Sequence, residues 1–444
     1  KADGHDFIPQ AVQKGASAVL SERRSALFPD LTQIVISDAK TATAVAAATF
    51  FGHPTNRLKV VGITGTNGKT TTSMLVHSIL CAAGNTAGLL GTISYRVSNR
   101  EIPAPVTTPD AIELQRYFSD MLAGGAKWAV MEVSSHSLVQ KRVACTRFEI
   151  AAFTNLTRDH LDYHKTMEAY REAKGILFEM LPADGHAVVN ADDPAGEYMA
   201  GRAKCSVLSW GVGPTRAGVS SQVNVRTWST SMLGTTMSLE TSQGTIDVRS
   251  RLVGNHNVRN IACACACGLA AGIHPDIIKQ GVETVSTVRG RLEQVDCGQG
   301  FSVLVDYAHT DDALANVLQA LREMTVGRLI VVFGCGGDRD KGKRPMMGAV
   351  AEQWADLIVV TSDNPRSEPP EAIVAEICGG IRDRSRCRVQ VDRAEGIREA
   401  LRIAKSGDTV LVAGKGHEQY QIFKDTVKPF DDRKIVKEFF EGIV

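Results

Sequence analysis

A strand, a glycine-rich loop and a helix follow one another in the segment LKVVGITGTNGKTTTSMLVHSILCAAG, which begins at Leu58. The apolar run LKVVGI is typical of a buried strand, and the apolar residues after the loop recur at helical spacing. Gly65 and Gly68 allow the chain to turn tightly and to direct successive backbone amides inward. A strand that passes directly into a helix in this way is the repeating unit of α/β folds.

The loop itself has the composition of a phosphate-binding site. Free backbone amides, the positive end of a helix dipole and one lysine together favour an anion. Lys69 would reach the β- and γ-phosphates of a nucleotide, and the Thr70 hydroxyl would bind Mg²⁺. Ile63 stands where the strict Walker pattern has its first glycine, so the loop is a variant, and a glycine-rich turn without a ligand is the alternative. The predicted nucleotide site comprises Gly65, Thr66, Asn67, Gly68, Lys69, Thr70 and Thr71.

Length and composition are those of an ordinary globular protein. A chain of 444 residues suggests two to four domains, and 43% of its residues are hydrophobic and 22% charged. The net charge of +1 favours neither a nucleic-acid-binding surface nor a polybasic membrane segment, so we expect neither partner. No apolar run is long enough to span a membrane. The abrupt start at Lys1 predicts that part of the first domain precedes this sequence.

The ten cysteines show no C-x-x-C spacing. The closest cluster is Cys263, Cys265 and Cys267 in the small-residue run IACACACGLAAG. A metal site is one interpretation, but the cluster lacks histidine partners, and buried free thiols in a close-packed helix are favoured. Reduced cysteines beside a nucleotide site indicate a cytoplasmic protein.

Three domains are predicted from the change of pattern along the chain. Residues 1–58 read as a short α/β remnant. Residues 59–288 hold the phosphate loop, further strand and helix alternation, and a stretch of period-two alternation (TTMSLETSQGTIDVRSRLVG) that predicts antiparallel hairpins. Residues 289–444 alternate regularly between strands and helices, which predicts a parallel, doubly wound (Rossmann-like) sheet.

Polar sequences follow four strands of this last region: DYAHT, CGGDRDKGKR, DNPRSE and AGKGHE. Ligands of doubly wound sheets gather at the carboxyl ends of the strands, so these loops predict a binding site. In the middle region, the segment AVMEVSSH places Glu132 just after a strand, where its carboxylate could complete a Mg²⁺ site with Thr70. The loop FTNLTRDHLDYH could bind a metal or supply an acid and base, a solvated loop being the alternative; its candidates are Asp159, His160, Asp162 and His164.

The motifs GTNGKTTT, MEVSSH, FTNLTRDHLDYH, GNHNVRN, GRLE, DYAHT, CGGDRDKGKRP, DNPR and AGKGHE, together with a lysine in the helix EAYREAKGILFEM, occur in the order found in the Mur ligases. The chain resembles most closely the members that add the third residue of the peptidoglycan stem peptide. The resemblance implies a three-domain architecture with a central P-loop ATPase-like domain. It also implies transfer of the γ-phosphoryl group of ATP to a substrate carboxylate, followed by attack of an amine on the acyl phosphate.

Roles follow by matched position. The resemblance implies that Lys69 binds phosphate, that Thr70 and Glu132 hold one Mg²⁺, and that His160 helps to hold a second. Lys174 matches the lysine that the family carbamylates, and the carbamate would be a ligand of the second ion. Asp311 stands where the family usually has proline, a change expected to affect loop stiffness more than chemistry. Further nucleotide contacts are implied for Asn257, Asn260, Arg291 and Asp306.

The implied substrates are UDP-MurNAc-L-Ala-D-Glu and meso-diaminopimelate. Contacts to the first are implied for Thr107, Thr108, Ser134, Gln140 and Arg142. Arg366 offers a planar two-pronged donor for the distal carboxylate of diaminopimelate, unless it only pairs with Glu368. Glu418 would then form an ion pair with the distal ammonium of diaminopimelate. The complete implied set for the amino acid is Arg339, Asp363, Asn364, Pro365, Arg366, Gly414 and Glu418.

Two other functions share part of this pattern. A folylpolyglutamate synthetase shares the fold and the acyl-phosphate chemistry, but lacks the DNPR and DRDKGKRP pattern. A protein of this family that has lost catalysis and serves as a scaffold would be expected to lose Lys69, Glu132, His160 or Lys174, and all four are present. We therefore expect an active, monomeric enzyme.

Overall fold

The computed structural model describes residues 3–213 and 222–442. Helices α1 to α15 run, in chain order, over Ile8–Gln13, Ala39–Phe50, Lys69–Ala82, Ala111–Ala123, Ser135–Val139, Leu161–His164, Met167–Glu179, Pro194–Arg202, Asn255–Ala270, Pro275–Thr284, Asp311–Met324, Lys343–Trp354, Pro370–Cys378, Arg393–Ile403 and Asp432–Phe440. Strands β1 to β21 run over Ala18–Ser21, Thr32–Val35, Lys59–Thr64, Ala87–Leu90, Ser94–Val97, Arg100–Pro103, Trp128–Glu132, Ile150–Phe153, His186–Asn190, Ser206–Val212, Val223–Ser231, Gly234–Thr241, Gly244–Ser250, Glu293–Gln294, Ser302–Asp306, Leu329–Phe333, Leu357–Val360, Cys387–Val389, Thr409–Ala413, Tyr420–Phe423 and Thr426–Pro429.

The first elements form a small α/β unit. Strands β1 and β2 pair in parallel, and α2 follows them, which agrees with the α/β pattern predicted for this part of the sequence. The side chain of Asp38 caps α2 by accepting hydrogen bonds from the amides of Lys40 and Thr41. Asp38 also forms an ion pair with Lys141, which lies just after α5, so this unit is tied to the part of the chain that carries the phosphate loop.

The central sheet has eleven strands in the order β13-β12-β11-β10-β9-β8-β3-β7-β4-β5-β6. Its middle strands are parallel, whereas β11 pairs antiparallel with β12 and β12 with β13. The stretch of period-two alternation covers β12 and β13, whose hairpin it predicted. In this sheet Ile63 of β3 pairs with Glu132 of β7, and Thr64 pairs with Phe153 of β8. Three chain segments therefore leave the sheet side by side: the phosphate loop, the segment after Glu132 and the loop after Phe153.

Helices cover both faces of the central sheet. Helices α3, α9 and α10 pack on one face, while α4, α7 and α8 pack on the other. The three clustered cysteines are free and buried in α9, which confirms the favoured interpretation of close-packed thiols. Ile63, at the Walker glycine position, is also fully buried in this core. The phosphate loop therefore starts two residues later, at Gly65, because β3 continues through Thr64.

The C-terminal sheet has the order β14-β15-β19-β16-β17-β18. Strands β15 to β19 are all parallel, and only the short β14 is antiparallel. Helices α11, α12 and α13 pack on one face and α14 and α15 on the other, so the predicted doubly wound sheet is confirmed. The hairpin β20–β21 and the helix α15 were not predicted from the sequence.

Throughout residues 3–213 and 222–442, no helix combines the length and apolarity needed to cross a membrane.

Candidate active site

The phosphate loop joins β3 to α3 and depends on two glycines. Gly68 has φ +84°, and a Cβ atom there would lie 2.3 Å from Asn260 Oδ1. A Cβ atom on Gly65 would lie 1.9 Å from Thr154 Oγ1. Side chains from α9 and from the loop after β8 therefore approach the loop backbone as closely as glycine allows. This tight cradle at a helix N-terminus fits a bound phosphate chain.

Hydrogen bonds hold the loop in one conformation. The Asn67 amide donates to Asn155 Oδ1 at 2.9 Å, and the Thr154 hydroxyl donates to the Asn67 carbonyl at 2.6 Å. Lys69 Nζ folds back over the loop and donates to the carbonyls of Gly65 and Thr66, each at 2.8 Å. The predicted loop residues are therefore assembled as one unit, with the lysine ammonium beside the cradle.

Glu132 is fully buried at the end of β7, beside the start of α3. Its Oε2 accepts hydrogen bonds from the hydroxyls of Thr70 and Thr92, each at 3.0 Å. Its Oε1 accepts a hydrogen bond of 2.7 Å from the Thr92 amide. The predicted pairing of Glu132 with Thr70 is therefore present, and Thr92, which the sequence did not single out, fixes the carboxylate. A hydroxyl and a carboxylate held together are ligands that Mg²⁺ prefers.

The loop after β8 places a group of aromatic rings beside the phosphate loop. His160 has a positive φ of 54°, and its Nε2 lies 3.5 Å from Asp159 Oδ2. Its ring packs edge-on against His136, with centroids 4.9 Å apart. Removal from water lowers the pKa of His160 to about 4, although Asp159 opposes the shift. His160 is therefore a neutral imidazole at neutral pH, which is the form that binds metals.

His164, a second candidate in this loop, is buried, and its Nε2 shares a hydrogen bond of 2.9 Å with Ser135 Oγ. Burial lowers the pKa of His164 to about 4, with a further contribution from His136. The residue therefore ties the loop to α5 rather than facing the phosphate loop.

Lys174 lies in α7 and is 1% exposed. Its Nζ lies 4.3 Å from the centre of the Tyr170 ring, and among the described residues it has neither a hydrogen bond nor an ion pair. Burial lowers the pKa of Lys174 well below its ordinary value, and the positive charge of Lys69 lowers it further. Lys174 lines the same cavity of about 190 Å³ as Lys69 and His160. The geometry therefore presents an uncompensated amine at the phosphate loop.

The linker between the central and C-terminal sheets contacts the loop through Arg291. Its Nη2 lies 3.4 Å from Thr70 Oγ1, and its guanidinium stacks over Tyr307 at 4.9 Å. Arg291 Nε is buried and has no hydrogen-bond partner among the described residues, which fits an anionic ligand at this point. Asn260, whose oxygen approaches Gly68, donates to Asn257 Oδ1 at 2.9 Å.

Asp306 lies in a different environment from the other implied nucleotide contacts. Its two oxygens accept hydrogen bonds of 2.7 Å from the amides of Leu292 and Ala308. Burial raises the pKa of Asp306, against the effect of Arg291. In this structure the carboxylate orders the linker and the start of the DYAHT loop.

Helix α11 of the C-terminal region is hydrogen-bonded directly to the phosphate loop. Asp312 Oδ2 accepts hydrogen bonds of 3.0 Å from Asn67 Nδ2 and from the Thr157 hydroxyl. Asp311, which replaces the usual proline, occupies the first turn of α11, where a carboxylate interacts favourably with the helix dipole. The substitution is therefore compatible with the same helix start.

The residues implied for the uridine-nucleotide substrate lie around α5, beside Glu132. The Thr108 hydroxyl donates to the Glu132 carbonyl at 2.9 Å, and the Ser134 amide donates to Thr108 Oγ1 at 3.2 Å. Arg142 donates to the Thr108 carbonyl at 3.0 Å and to Gln140 Oε1 at 2.6 Å. The hydroxyl groups of Thr107 and Thr92 share a hydrogen bond of 3.2 Å, in which Thr92 accepts because its single proton is donated to Glu132. The structure thus brings these residues together as one connected group.

A cavity of about 530 Å³ opens between the loop after β8 and the C-terminal sheet. Arg366 borders it with a positive φ of 51°, and its Nη1 donates to the Gly337 carbonyl at 2.8 Å. Glu368 is instead engaged by the fully buried Arg344, at 2.8 and 3.0 Å. The alternative pairing of Arg366 with Glu368 is therefore not the one present. The cavity is also lined by Arg339, Asp363, Asn364, Gly414 and Glu418.

Two of the implied amino-acid contacts act through the backbone. A Cβ atom on Gly414 would lie 2.7 Å from Asp363 Oδ2, so glycine leaves room for that carboxylate. The Pro365 carbonyl approaches Gly337 so closely that a Cβ atom there would lie 1.9 Å away. Both positions shape the turn that carries Arg366.

The phosphate loop and the Arg366 cavity adjoin. Asp159, His160 and Tyr307 line both the 530 Å³ cavity and the 190 Å³ cavity at the phosphate loop. Across the described ranges, no three or more His, Cys, Asp or Glu side chains stand together as a metal site. Any Mg²⁺ at this point would need hydroxyl, phosphate or modified-lysine ligands beside Glu132.

Comparison with known proteins identifies the family. The family model described as "Mur ligase middle domain" matches residues 63–268, and the one described as "Mur ligase, glutamate ligase domain" matches residues 290–416. The chain is 48% identical to the UDP-N-acetylmuramoyl-L-alanyl-D-glutamate--2,6-diaminopimelate ligase of Geobacter metallireducens, over 99% of this chain and 90% of that protein. The enzyme of the same name from Syntrophomonas wolfei is 43% identical, over 100% and 91%.

Solved structures give the same result. A structure of a 2,6-diaminopimelate ligase matches with a TM-score of 0.69 and 34% identity, over 99% of this chain and 89% of that one. A folylpolyglutamate synthase of Mycobacterium tuberculosis matches with a TM-score of 0.68 over 84% of this chain and 92% of that one, but its 20% identity shows the common fold alone. Ordered motifs, two matching domain models and relatives that align over nearly the whole sequence lead to one conclusion: the chain belongs to the Mur ligase family.

Proposed function

We propose that this protein is an ATP-dependent ligase that joins meso-diaminopimelate to UDP-MurNAc-L-Ala-D-Glu in peptidoglycan precursor synthesis. A substrate carboxylate takes the γ-phosphoryl group of ATP, and the incoming amine attacks the acyl phosphate and displaces phosphate. The supporting observation is that the phosphate loop and the Arg366 cavity share Asp159, His160 and Tyr307 as lining residues. The names of its relatives describe the same ligation.

ATP and Mg²⁺ are the proposed cofactors, because the residues around the phosphate loop fit both. Bound Mg²⁺ would neutralise charge that develops on the transferred phosphoryl group. The amides from Gly65 to Thr71 would hold phosphate oxygens, and Lys69 would neutralise them. Thr70 and Glu132 would hold one ion, with Thr92 keeping the carboxylate in place. Asn257, Asn260, Arg291 and Asp306 would hold or order the nucleotide side.

A carbamate on Lys174 is the proposed ligand for a second Mg²⁺, together with His160. Carbamylation joins the lysine nitrogen to the carbon of CO₂ and releases one proton, so it requires a neutral amine. Burial and Lys69 favour that neutral form by lowering the pKa of Lys174. Carbamylation also replaces a cation that would repel the metal with a carboxylate-like anion.

The muramoyl-dipeptide part of the nucleotide substrate would bind at the group formed by Thr107, Thr108, Ser134, Gln140 and Arg142. Thr108 and Ser134 are hydrogen-bonded to each other, and the Thr108 hydroxyl is also hydrogen-bonded to the Glu132 carbonyl. This position supports delivery of a carboxylate to the metal and phosphate site.

The amino acid would bind in the 530 Å³ cavity. Arg366 presents a planar donor for the distal carboxylate of diaminopimelate, and Glu418 presents an acceptor for its distal ammonium. L-lysine has no distal carboxylate and should be a poor substrate. Arg339, Asp363, Asn364 and Gly414 also line this cavity, and Pro365 completes the proposed site through its backbone carbonyl, which packs against Gly337.

A ligation assay decides between this function and the alternatives. The purified protein is given ATP, Mg²⁺ and UDP-MurNAc-L-Ala-D-Glu, with meso-diaminopimelate, L-lysine or L-ornithine supplied separately. ADP release that depends on both substrates, with meso-diaminopimelate preferred, supports the proposal. Glutamate addition to a folate would instead indicate a folylpolyglutamate synthetase, and no phosphate release would indicate a scaffold.

Each of the three parts of the chain has a proposed substrate. Residues 1–58 would bind the nucleotide sugar, residues 59–288 would bind ATP, and residues 289–444 would bind the amino acid. A monomer in the cytoplasm is proposed, where ATP is available and the ten free cysteines remain reduced. Light scattering on a size-exclusion column tests the monomer.

A further inference from the structure

Lys415 is a fully buried lysine that follows β19 and makes contact with the proposed amino-acid site. Its Nζ donates to Asn364 Oδ1 at 3.0 Å and to Glu418 Oε2 at 2.9 Å. Asn364 Nδ2 also donates to the same Glu418 oxygen at 2.9 Å. The ammonium, the amide and the carboxylate therefore form a closed triangle at the end of the sheet.

The hydrogen bonds of this triangle fix the orientations of the three side chains. An ammonium can only donate hydrogen bonds, so the Asn364 oxygen must face Lys415 and the amide nitrogen must face Glu418. Asn364 Oδ1 also accepts a hydrogen bond of 3.1 Å from the Ile422 amide, which uses its remaining acceptor capacity. Without the lysine, the amide could rotate and the Glu418 carboxylate would lose its compensating charge.

Two groups remain available at the cavity. One N–H of Asn364 has no acceptor among the described residues, and Glu418 Oε1 has no donor there. Asn364 and Glu418 both line the cavity beside Arg366. A donor next to an acceptor matches an amino-acid head group that carries both a carboxylate and an ammonium.

We propose that Lys415 is a positioning residue that sets this donor and acceptor pattern and so selects amino acids with a zwitterionic far end. The inference rests on the proposed function and deepens it, because it assigns to Lys415 a part in substrate choice. Lys415 itself is fully buried and is not among the residues that line the cavity. It acts by fixing the orientation of the Asn364 amide and of the Glu418 carboxylate. A buried charge held by hydrogen bonds is a stiff support for a binding site.

Lys415→Met and Lys415→Gln test the proposal in the ligation assay. Both should raise the KM for meso-diaminopimelate at least about tenfold, which corresponds to about 1.4 kcal/mol. The preference for meso-diaminopimelate over L-lysine, measured as a ratio of kcat/KM values, should fall by a similar factor. The KM for ATP should stay within about twofold, since none of the three residues lines the 190 Å³ cavity at the phosphate loop.

Arg386→Met is the matched control. Arg386 also pairs with a carboxylate three residues away, Asp383, but this pair is exposed. Its loss should leave both KM values and the substrate preference unchanged. Melting curves of all variants show whether each protein is folded, and Lys415→Gln, which keeps a hydrogen-bond donor, replaces Lys415→Met if the latter does not fold.

The outcomes separate this inference from the proposed function. If the wild-type protein does not use meso-diaminopimelate, the proposed function is wrong. If the wild type does so and the Lys415 variants keep its KM and its preference, the role of Lys415 is wrong. A uniform loss of kcat together with a raised KM for ATP would also overturn it, because that pattern indicates general structural damage.

Discussion

The Thr70 hydroxyl donates a hydrogen bond of 3.0 Å to Glu132 Oε2, although the two residues are 62 positions apart in the sequence. The parallel pairing of β3 with β7 creates this contact, because Ile63 and Glu132 are register partners at the carboxyl ends of these two interior strands. The phosphate loop and its acidic partner are thus positioned by the most deeply buried part of the fold.

Glu132→Gln should raise the Mg²⁺ concentration needed for half-maximal ligation and lower turnover about 10²- to 10³-fold. The amide keeps the shape of the side chain but removes the charge that would hold the ion. Binding of the UDP-substrate, measured by calorimetry, should change little. Glu113→Gln, in an exposed pair on α4, serves as the control. An unaltered Mg²⁺ dependence would show that Glu132 is only a structural carboxylate.

Gly68→Ala should abolish measurable nucleotide binding, whereas Gly84→Ala should preserve it. Both glycines have a positive φ, of 84° and 76°, so both substitutions carry the left-handed backbone cost of about 1–2 kcal/mol. Only the Cβ atom at Gly68 meets a neighbour, Asn260 Oδ1 at 2.3 Å, while the one at Gly84 has nothing within 4 Å. Equal ADP affinities of the two variants in a titration would contradict the proposed cradle.

Lys174→Ala should nearly abolish ligation, and an excess of a short carboxylic acid should partly restore it. The added carboxylate would take the place of the carbamate in the cavity. Wild-type protein prepared without CO₂ should recover activity on addition of bicarbonate, with a carbamate signal in ¹³C NMR. Near wild-type turnover of the alanine variant would rule out the carbamate.

The depressed pKa of Lys174 also predicts how stability changes with pH. Burial is the main cause of the depression from 10.5, and Lys69 adds to it. Between the folded pKa and 10.5, the unfolded chain binds one more proton, so the free energy of unfolding rises with pH in this window. Denaturant unfolding at about pH 7 and about pH 9 without CO₂ should show this rise. Lys174→Met should reduce it, and identical slopes would contradict the assignment.

Arg366→Ala should weaken use of meso-diaminopimelate by roughly 30-fold to a few thousandfold. This range follows from the loss of about 2–5 kcal/mol when one partner of a buried charge pair is removed. Arg388→Ala, which removes an exposed arginine on β18, is the matched control and should have little effect. Full activity of Arg366→Ala with meso-diaminopimelate would show that another residue binds the distal carboxylate.

Local patterns in the sequence were sufficient for the strands and helices that carry the motifs. The phosphate loop, the hairpin β12–β13 and the doubly wound sheet all follow from apolar periodicity and glycine placement. The hairpin β20–β21 was not predicted, because its short strands are mostly exposed and lack regular apolar alternation. No strand pattern distinguishes such residues from a loop.

The supporting residues of the site could not be predicted, because their contacts depend on the folded chain. Thr92 meets Glu132 across 40 positions, Lys415 meets Asn364 across 51, and Asp312 meets Asn67 across 245. Sequence motifs indicated where phosphate, metal and amino acid would bind. The hydrogen bonds that hold those side chains in place emerge only once β3, β7 and the C-terminal sheet are packed.

The ligation assay with separate amino acids tests the central claim most directly. The purified protein receives ATP, Mg²⁺ and UDP-MurNAc-L-Ala-D-Glu, and the product is identified by mass spectrometry. With meso-diaminopimelate, we predict one ADP released for each tripeptide formed, and little product with L-lysine or L-ornithine. A preference for L-lysine would contradict the assignment of the Arg366 cavity, and no ADP release with any amino acid would contradict the enzyme itself.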